Sequence, residues 1–275
     1  MAGATGWVGG AVVEAACARG IETIELAVRP AVSHVASMAD LPALLDGPDV
    51  VVVNAVGQAS GSPAELEIAN LRICRELAEV CATHGARFLT IGSAAEVGAP
   101  LVDRVSESYV GRPLSDYGRS KLAATELVQD LRTDGLQGTV ARVFNVVGPG
   151  RRTASPVAEF AARIRSLQTS GEVVEVRDAT LVRDISGLAW VGDRLVDLAG
   201  IAGKVDLVNV CSGRPTSYRE LIEAMAATRG LTVEVVNTQP GGVPRVVGDP
   251  ALLLSLLPGT PVESLAEVAA QALEV

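Results

Sequence analysis

The stretch GATGWVGG at residues 3–10 places Gly3, Gly6 and Gly9 at intervals of three residues. This spacing lets a backbone turn tightly and approach a pyrophosphate at the N-terminus of the following helix, where amide groups and the helix dipole favour negative charge. The chain contains 28 glycines, so a simple helix-capping turn is the alternative. The position of the stretch at the start of an alternating pattern of strands and helices favours the phosphate-binding interpretation.

Short apolar strands alternate with amphipathic helices through most of the chain. The predicted strands are residues 23–28, 49–54, 87–91, 138–145 and 206–211. The predicted helices run from the glycine-rich turn to about residue 19, and over residues 40–45, 63–84, 115–131 and 217–229. This alternation is typical of the α/β class with a doubly wound, parallel, Rossmann-type sheet.

Two segments fall outside the alternation, residues 150–203 and residues 213–275. We expect them to form a smaller, C-terminal substrate-binding lobe. Residues 1–149, with about 204–212, are then the dinucleotide-binding domain. A chain of 275 residues with 48% apolar content is long enough for this arrangement.

The glycine-rich turn of a dinucleotide-binding sheet normally follows the central strand, but only Met1 and Ala2 precede it here. Either the protein starts a few residues upstream, or the chain lacks its middle strand. A missing central strand would leave two strand edges unpaired. We therefore favour an upstream start.

The net charge of -9 argues against nucleic acid and anionic membranes as partners, because both carry negative charge. No apolar run reaches the length of a membrane span and no signal segment opens the chain, so we expect a cytoplasmic protein. His34 and His84 make no metal-ligand pattern, so no metal site is expected. Structural thiols are favoured over redox chemistry for the four cysteines, Cys17, Cys74, Cys81 and Cys211.

Tyr117 and Lys121 are four residues apart in a predicted helix and therefore share one helix face. An ammonium group beside a phenol favours the phenolate form, as any opposite charge favours an anion. Such a phenol can give a proton to, or take one from, a carbonyl or alcohol oxygen. The alternative is a surface pair without a chemical role.

Arg29 follows the predicted strand over residues 23–28, where dinucleotide-binding folds recognise the ribose of the cofactor. An acidic residue there would accept hydrogen bonds from the ribose hydroxyls, whereas an arginine would bind a 2′-phosphate. We therefore expect NADP(H), with NAD(H) as the second choice. A solvent-facing arginine is the alternative interpretation.

Several motifs in the same order and spacing resemble the extended short-chain dehydrogenases/reductases, also called the NAD-dependent epimerase/dehydratase family. The resemblance covers nearly the whole chain. The segments that carry it are GATGWVG (3–9), NLR (70–72), IGSAAEVG (91–98), YGRSK (117–121), RVFNVVGP (142–149), RDI (183–185) and NVCSGRPTS (209–217).

The resemblance implies a role for each matching residue. Tyr117 is the expected acid/base, Lys121 is expected to favour its phenolate and to bind the nicotinamide ribose, and Ser93 is expected to hydrogen-bond the reacting oxygen. The predicted cofactor contacts are Gly3, Thr5, Gly6, Trp7, Val8, Gly9, Arg29, Asn54, Ala55, Val56, Asn70 and Lys121. The predicted substrate contacts are Ser93, Ala94, Asn145, Arg183 and Arg245.

Three of these residues have structural alternatives. Ser93 can be a loop-capping serine, Asn70 a helix-packing amide, and Asn145 a turn-forming residue before a glycine-proline pair. The helices that carry Asn70 and Tyr117 form a dimer interface in many relatives, so the resemblance also implies a homodimer.

The chain departs from the family pattern at four positions. Val97 and Val147 stand where many relatives have tyrosine, and Trp190 stands where an acidic residue is usual. Gln239 replaces one of two arginines that commonly bind the diphosphate of a sugar nucleotide, and glutamine cannot form their bidentate, charge-assisted bonds. Arg183 matches the other arginine, and Arg245 is the candidate substitute.

The sequence therefore predicts an NADP(H)-dependent oxidoreductase that reduces, or epimerises through, the carbonyl of a nucleotide-activated deoxysugar. A ketoreductase acting on a ketone without a nucleotide, such as a secondary-metabolite scaffold, is the first alternative. A non-catalytic NADP-binding sensor is the second, although relatives with that role usually lose the tyrosine or the lysine.

Overall fold

A parallel sheet organises the first part of the chain in the computed structural model, which describes residues 1–27, 36–45, 49–150 and 155–274. The strands of these residues are β1 (Leu26–Ala27), β2 (Ala36–Ser37), β3 (Val51–Asn54), β4 (Arg87–Ser93), β5 (Gln137–Val143), β6 (Asn145–Val147), β7 (Glu172–Val176), β8 (Val182–Arg183), β9 (Ile185–Gly187), β10 (Leu207–Val210), β11 (Thr216–Ser217), β12 (Val233–Asn237) and β13 (Arg245–Val246). The α-helices are α1 (Trp7–Ala18), α2 (Leu41–Leu44), α3 (Pro63–Glu67), α4 (Ile73–His84), α5 (Asp116–Thr133), α6 (Pro156–Ser166), α7 (Leu188–Gly200), α8 (Tyr218–Thr228), α9 (Ala251–Leu256) and α10 (Leu265–Leu273).

The first of two units comprises Met1–Gly98, Glu107–Val143 and Val191–Val210. Four of its strands pair in parallel in the order β10-β5-β4-β3, and β1 pairs in parallel with β2. The predicted α/β class with a parallel sheet is confirmed.

Ala2 lies between β1 and β3 and forms a parallel bridge with both, through Leu26 and Asn54. Its amide donates to the Val53 carbonyl, and its carbonyl accepts from the Ala55 amide, both at 2.9 Å. Residues 1 and 2 therefore pair with β1 on one side and β3 on the other. They occupy the central position for which the sequence suggested either an upstream strand or two unpaired strand edges.

The predicted helix over residues 63–84 contains an interruption that its periodicity did not indicate. A capping box of Ser62 and Glu65 starts α3, and Gly85, with a φ of 65°, ends α4. Between the two helices the segment Ile68–Arg72 forms a π-helical turn. Such turns widen a helix locally and are frequent at functional sites, and this one contains Asn70.

The predicted strand over residues 138–145 is wrong as one continuous element. The structure ends β5 at Val143 and begins β6 at Asn145, and β6 pairs with β9 in the second unit. A continuous apolar run predicts burial, but it carries no signal for the point where the chain leaves one sheet and joins another.

The core of the first unit packs α4 and α5 against the parallel strands. Phe88 and Leu77 are fully buried in it, and burial of a side chain of this size stabilises the fold by roughly 1.5–3 kcal/mol. Cys74 and Cys81 belong to the same cluster, and burial raises the pKa of Cys81 to about 12. The thiolate form that redox chemistry requires is thus disfavoured at Cys81.

The second unit comprises Ala99–Ser106, Phe144–Trp190 and Cys211–Val275. It contains the parallel pairs β6-β9 and β12-β7 and the three-stranded sheet β11-β8-β13. Helices α6, α8 and α10 enclose its apolar core, which includes Phe160, Ile164 and Met225. Residues 191–203, expected in the substrate lobe, group with the first unit, and residues 99–106 group with the second.

Asp184 connects separate segments of the second unit through hydrogen bonds to its side chain. Its buried carboxylate accepts hydrogen bonds from the amide and hydroxyl of Ser212 at 2.8 Å, from the Gly213 amide at 2.9 Å and from the Gly248 amide at 3.3 Å. These donors offset the cost of burying the charge, since a buried carboxylate needs partners for its lone pairs. Arg183 precedes this anchored residue.

In the part of the chain that the structure describes, none of the helices has the length and apolar character needed to cross a membrane.

Candidate active site

The glycine-rich turn depends on backbone contacts that exclude side chains. A Cβ atom on Gly9 would lie 2.0 Å from the Gly3 carbonyl oxygen, and one on Gly3 would lie 2.6 Å from the carbonyl carbon of Ala55. Gly3 also has a φ of 78°, which disfavours residues with a Cβ atom. The start of α1 therefore packs directly on the turn, and the turn packs on the loop after β3.

The N-terminus of α1 suits a phosphate group. Gly6 occupies the N-cap position with no side-chain cap, and the first turn contains no acidic residue. Thr5 and Gly6 are exposed, whereas Trp7 and Val8 are half-buried. Backbone amides at a helix start bind anions, and a cradle without Cβ atoms lets a pyrophosphate come close. The turn therefore fits the dinucleotide that the sequence predicted.

Asn54, a predicted cofactor contact, shapes the loop after β3. Its side-chain amide donates to Thr90 Oγ1 and its Oδ1 accepts from the Val56 amide, both at 3.1 Å. Asn54 itself is buried, whereas Ala55 and Val56 are half-buried beside Gly3. The backbone of Ala55 and Val56 is thus the part of this loop that meets the glycine-rich turn.

Lys121 reaches the same edge of the sheet from α5. Ser115 caps this helix by accepting a hydrogen bond from the Gly118 amide at 3.0 Å. Lys121 is 94% buried, its Nζ donates to the Ile91 carbonyl, and it lies 3.9 Å from the point where a Cβ atom on Gly57 would stand. Tyr117 is half-buried one turn earlier on the same helix face.

Gly118 brings the first turn of α5 against the loop after β4. A Cβ atom on this buried glycine would lie 2.4 Å from the Ala95 carbonyl oxygen, so the helix could not approach this closely with any other residue. Ser93 ends β4, two residues before Ala95. Tyr117 and Ser93 thus belong to two segments that are in backbone contact.

Ser93 caps the short 3-10 turn Ala94–Glu96, which is the loop-capping role named above as the alternative to a catalytic one. Its Oγ accepts a hydrogen bond from the Ala95 amide at 3.2 Å, and its own amide donates to Glu96 Oε1 at 2.7 Å. A hydroxyl can accept one hydrogen bond and donate another, so capping leaves Ser93 able to donate to a ligand oxygen. Ser93 and Ala94 are both half-buried.

Asn70 connects the loop after β3 to α5. Its Oδ1 accepts from the Gln58 amide at 2.8 Å, and its Nδ2 donates to the Gln58 carbonyl and to Ser120 Oγ, both at 2.9 Å. Both amide hydrogens are used, and the side chain is almost fully buried. This geometry favours the packing amide over a direct cofactor contact.

The predicted substrate residues Asn145, Arg183 and Arg245 lie in the second unit. Asn145 donates from its side-chain amide to the Asp184 carbonyl at 2.9 Å. The Arg183 guanidinium lies 5.6 Å from the centre of the Tyr218 ring. Arg245 donates to the Asp103 carbonyl at 3.0 Å.

Arg183 and Arg245 point to opposite faces of their sheet. Arg245 pairs across the ladder with Val182, and Val246 pairs with Arg183. Paired residues share a face, and consecutive residues on a strand alternate between faces. The register therefore does not bring the two guanidinium groups together as one diphosphate clamp.

The structure adds residues that sequence reasoning did not single out. Glu96 is fully buried and accepts from Thr125 Oγ1 at 3.0 Å and from Arg142 Nε at 3.3 Å. Burial raises the pKa of the Glu96 carboxyl, and the positive charge of Arg142 opposes that rise. The sequence feature that could have indicated Glu96 is the presence of one charged residue among the small and apolar residues of segment 91–98.

Arg29, the basis of the NADP(H) prediction, lies outside the described residues.

The sequence model of the NAD dependent epimerase/dehydratase family matches residues 1–186. The chain belongs to this family. It is accordingly an NAD(P)-dependent enzyme of the short-chain dehydrogenase/reductase type, and Tyr117, Lys121 and Ser93 are its candidate catalytic residues.

Two curated members of the family illustrate its range. A dTDP-6-deoxy-L-talose 4-dehydrogenase (NAD(P)(+)) of Kitasatospora kifunensis is 30% identical over 254 residues, which cover 86% of this chain and 80% of that protein. A GDP-6-deoxy-D-mannose reductase of Pseudomonas aeruginosa is 34% identical over 151 residues, which cover 53% of this chain and 48% of that protein. The chain thus spans about half the length of the second relative.

Solved structures of the family share the fold over the whole chain. The structure of RMD from Pseudomonas aeruginosa complexed with NADPH has a TM-score of 0.76 and 28% identity, covering 98% of this chain and 95% of that one. The NDP-hexosamine 5,6-dehydratase TunA has a TM-score of 0.80 and 22% identity, covering 99% and 95%. The second likeness shows the fold alone.

Replacement Gly9→Ala is expected to weaken cofactor binding at least tenfold, about 1.4 kcal/mol, because the new Cβ atom would displace the Gly3 carbonyl from the cradle. The change in Trp7 fluorescence during titration with NADPH measures the affinity for the cofactor. Gly10→Ala is the matched control, since its Cβ atom would lie at an ordinary 3.7 Å from the Ala4 carbonyl oxygen. Equal affinities for both variants would contradict the cradle.

Replacement Gly118→Ala is expected to lower kcat by about 10²-fold, because the helix must move away from Ala95 and a shift of about 1 Å at a reacting group can cost that much. Steady-state kinetics measure the effect. Gly200→Ala is the control, since its Cβ atom would meet no atom within 4 Å. A wild-type kcat for Gly118→Ala would show that the close contact does not matter for catalysis.

Proposed function

We propose that the chain is an NADP(H)-dependent ketoreductase that acts on the carbonyl of a nucleotide-activated deoxysugar. The observation that carries this proposal is the arrangement at the carboxyl edge of the parallel sheet. The glycine-rich turn contacts the loop after β3, that loop lies beside Lys121, and Gly118 holds the helix of Tyr117 against the loop of Ser93. The candidate dinucleotide cradle and the candidate proton-transfer group thus share one edge, which supports the proposal.

The chemistry divides between the cofactor and the residues of the chain. A nicotinamide cofactor held by the glycine-rich turn and Lys121 would supply the hydride for reduction, or accept it in the reverse direction. Ser93 donates a hydrogen bond to the substrate oxygen, where negative charge develops during reduction. Tyr117 gives its proton to that oxygen, and the buried ammonium group of Lys121 stabilises the phenolate that remains. Lys121 is held in place by its hydrogen bond to the Ile91 carbonyl.

The substrate class is supported by the relatives. The two curated members are described by their names as a 4-dehydrogenase and a reductase of nucleotide-linked 6-deoxy sugars. We propose that this chain acts on a substrate of the same class. Epimerisation through the same carbonyl uses the same residues and is the related outcome.

A ketone without a nucleotide is the second candidate, and the arginine geometry favours it. Gln239 is exposed where relatives commonly have a diphosphate-binding arginine, and Arg245 points away from the face of Arg183. A panel of dTDP-, GDP- and UDP-linked ketosugars and aromatic ketones, with loss of the absorbance of NADPH as the readout, separates the two. Turnover of the aromatic ketones alone would exclude the sugar-nucleotide proposal.

Replacement Tyr117→Phe is expected to lower kcat by about 10²–10⁴-fold while the Kd of NADPH stays unchanged, because the ring keeps its shape and loses only the proton donor. Steady-state kinetics and a cofactor titration measure the two quantities. Tyr109→Phe, at another half-buried tyrosine of the first unit, is the control. Unchanged turnover in Tyr117→Phe would remove Tyr117 from the mechanism.

Replacement Arg29→Ala is expected to raise the Kd of NADPH by about 10- to 100-fold, because a hydrogen bond to a charged group contributes about 1.5–3 kcal/mol. The Kd of NADH should change little, since NADH lacks the 2′-phosphate. Parallel titrations of the variant and the wild type with NADPH and with NADH measure the two Kd values. Arg72→Ala, which removes an exposed ion pair with Glu76, is the control. An equal loss for both cofactors would argue against 2′-phosphate recognition.

A further inference from the structure

Glu96 forms a buried polar cluster with Thr125 and Arg142 directly behind Ser93. One carboxylate oxygen, Oε1, accepts from the Ser93 amide at 2.7 Å. The other, Oε2, accepts from Thr125 Oγ1 at 3.0 Å and from Arg142 Nε at 3.3 Å. Glu96 is fully buried and the Arg142 side chain is only 4% exposed.

The cluster joins the three elements that build the candidate site. Ser93 ends β4, Arg142 lies near the end of β5, and Thr125 belongs to α5. On α5, residues 117, 121 and 125 follow one another at intervals of four residues and share one face. Glu96 is therefore hydrogen-bonded both to the backbone of the candidate oxyanion-binding serine and to the helix that carries the candidate acid and its lysine.

Two glycines leave room for Glu96, one beside its carboxylate and one beside its backbone. A Cβ atom on Gly92 would lie 2.9 Å from Glu96 Oε1, and one on Gly111 would lie 2.5 Å from the Glu96 carbonyl oxygen. Gly92 is also paired across the sheet with Arg142, on the same face. The local backbone thus admits a glutamate and an arginine where larger neighbours would exclude them.

Stability alone does not account for the pair. Removing two charges from water costs energy, and well-packed apolar residues of similar volume often stabilise a fold equally well or better. The pair is only partly satisfied, since Arg142 Nη1 is buried without a hydrogen-bond partner. What apolar side chains cannot supply is an acceptor for the Ser93 amide, which fixes the direction of the serine.

We propose that Glu96, held by Arg142, is a positioning residue that orients Ser93 for hydrogen bonding to the substrate oxygen. This inference rests on the proposed function, in which Ser93 meets that oxygen. Glu96 itself has no route to the substrate, because it is fully buried behind the serine. Its loss should therefore lower kcat and leave the binding of substrate and cofactor nearly unchanged.

The double variant Glu96→Leu with Arg142→Met separates positioning from stability. It replaces the ion pair with apolar residues of similar size, and the freed Thr125 hydroxyl can bond the carbonyl of the preceding helical turn. We expect a thermal midpoint at or above that of the wild type, and a kcat lower by about 10- to 100-fold. The KM and the Kd of NADPH should stay within about twofold, ~0.4 kcal/mol.

Amide hydrogen exchange over residues 91–96 supplies a readout that needs no substrate. We expect faster exchange in the double variant, because the Ser93 amide loses its acceptor. The matched control is Arg132→Met with Asp206→Asn, which removes another ion pair of the first unit, with atoms 2.6 Å apart. The control should keep both the wild-type kcat and the wild-type exchange over residues 91–96.

Each outcome decides the proposal. A wild-type kcat, or a reduced kcat without faster exchange, would overturn it. If the wild type reduces no carbonyl in the panel, the proposed function fails, and exchange over residues 91–96 still decides whether Glu96 fixes Ser93. If the double variant does not fold, Glu96→Asp replaces it. That variant keeps the charge beside Arg142 and shortens the reach to Ser93, so the same loss of kcat and faster exchange are expected.

Discussion

The backbone of α5 touches the loop after β4 at Gly118, and the candidate site depends on this contact. Helices that pack through side chains keep their axes about 8–10 Å apart. At residue 118 a Cβ atom would stand 2.4 Å from the Ala95 carbonyl oxygen, so only glycine permits the observed approach. The first turn of the helix, with Tyr117, thereby meets the turn that begins after Ser93. Gly3 and Gly9 likewise allow backbone contacts that a Cβ atom would prevent, and these contacts shape the candidate cofactor cradle.

Around this contact the first unit buries three charged groups near the end of β4. Lys121 and Arg142 are cations and Glu96 is an anion, and all three are almost fully removed from water. Charges act more strongly in such surroundings, and they need no rearrangement when charge develops on a substrate. The net positive character of the group suits a site that stabilises a phenolate and an oxyanion. Nearby, the side chain of Asn70 forms hydrogen bonds with both Gln58 and Ser120, and so connects the loop after β3 to α5.

Residue spacings indicated candidate reactive side chains, but they did not indicate the hydrogen-bond partners of the polar residues nearby. Gly3, Gly6 and Gly9 predicted the cradle because their spacing has one main physical use. The two amides Asn54 and Asn70 are predicted cofactor contacts, and in the structure their side chains form hydrogen bonds that also hold loops of the first unit. Three of their partners, Thr90, Gln58 and Ser120, lie 36, 12 and 50 residues away in the chain. A motif carries no information about such partners, since each can be supplied by any loop that the fold brings near.

By itself the sequence determined the class of the fold, most of the strands and helices of the first unit, and the family, because these depend on local periodicity and short spacings. Only the tertiary structure decided how β5 and β6 divide, which way Arg183 and Arg245 face, and that Glu96 meets Arg142. Strand register and the burial of a charge are set by contacts between distant segments. A shift of one residue in register reverses the face of a side chain without any change in composition.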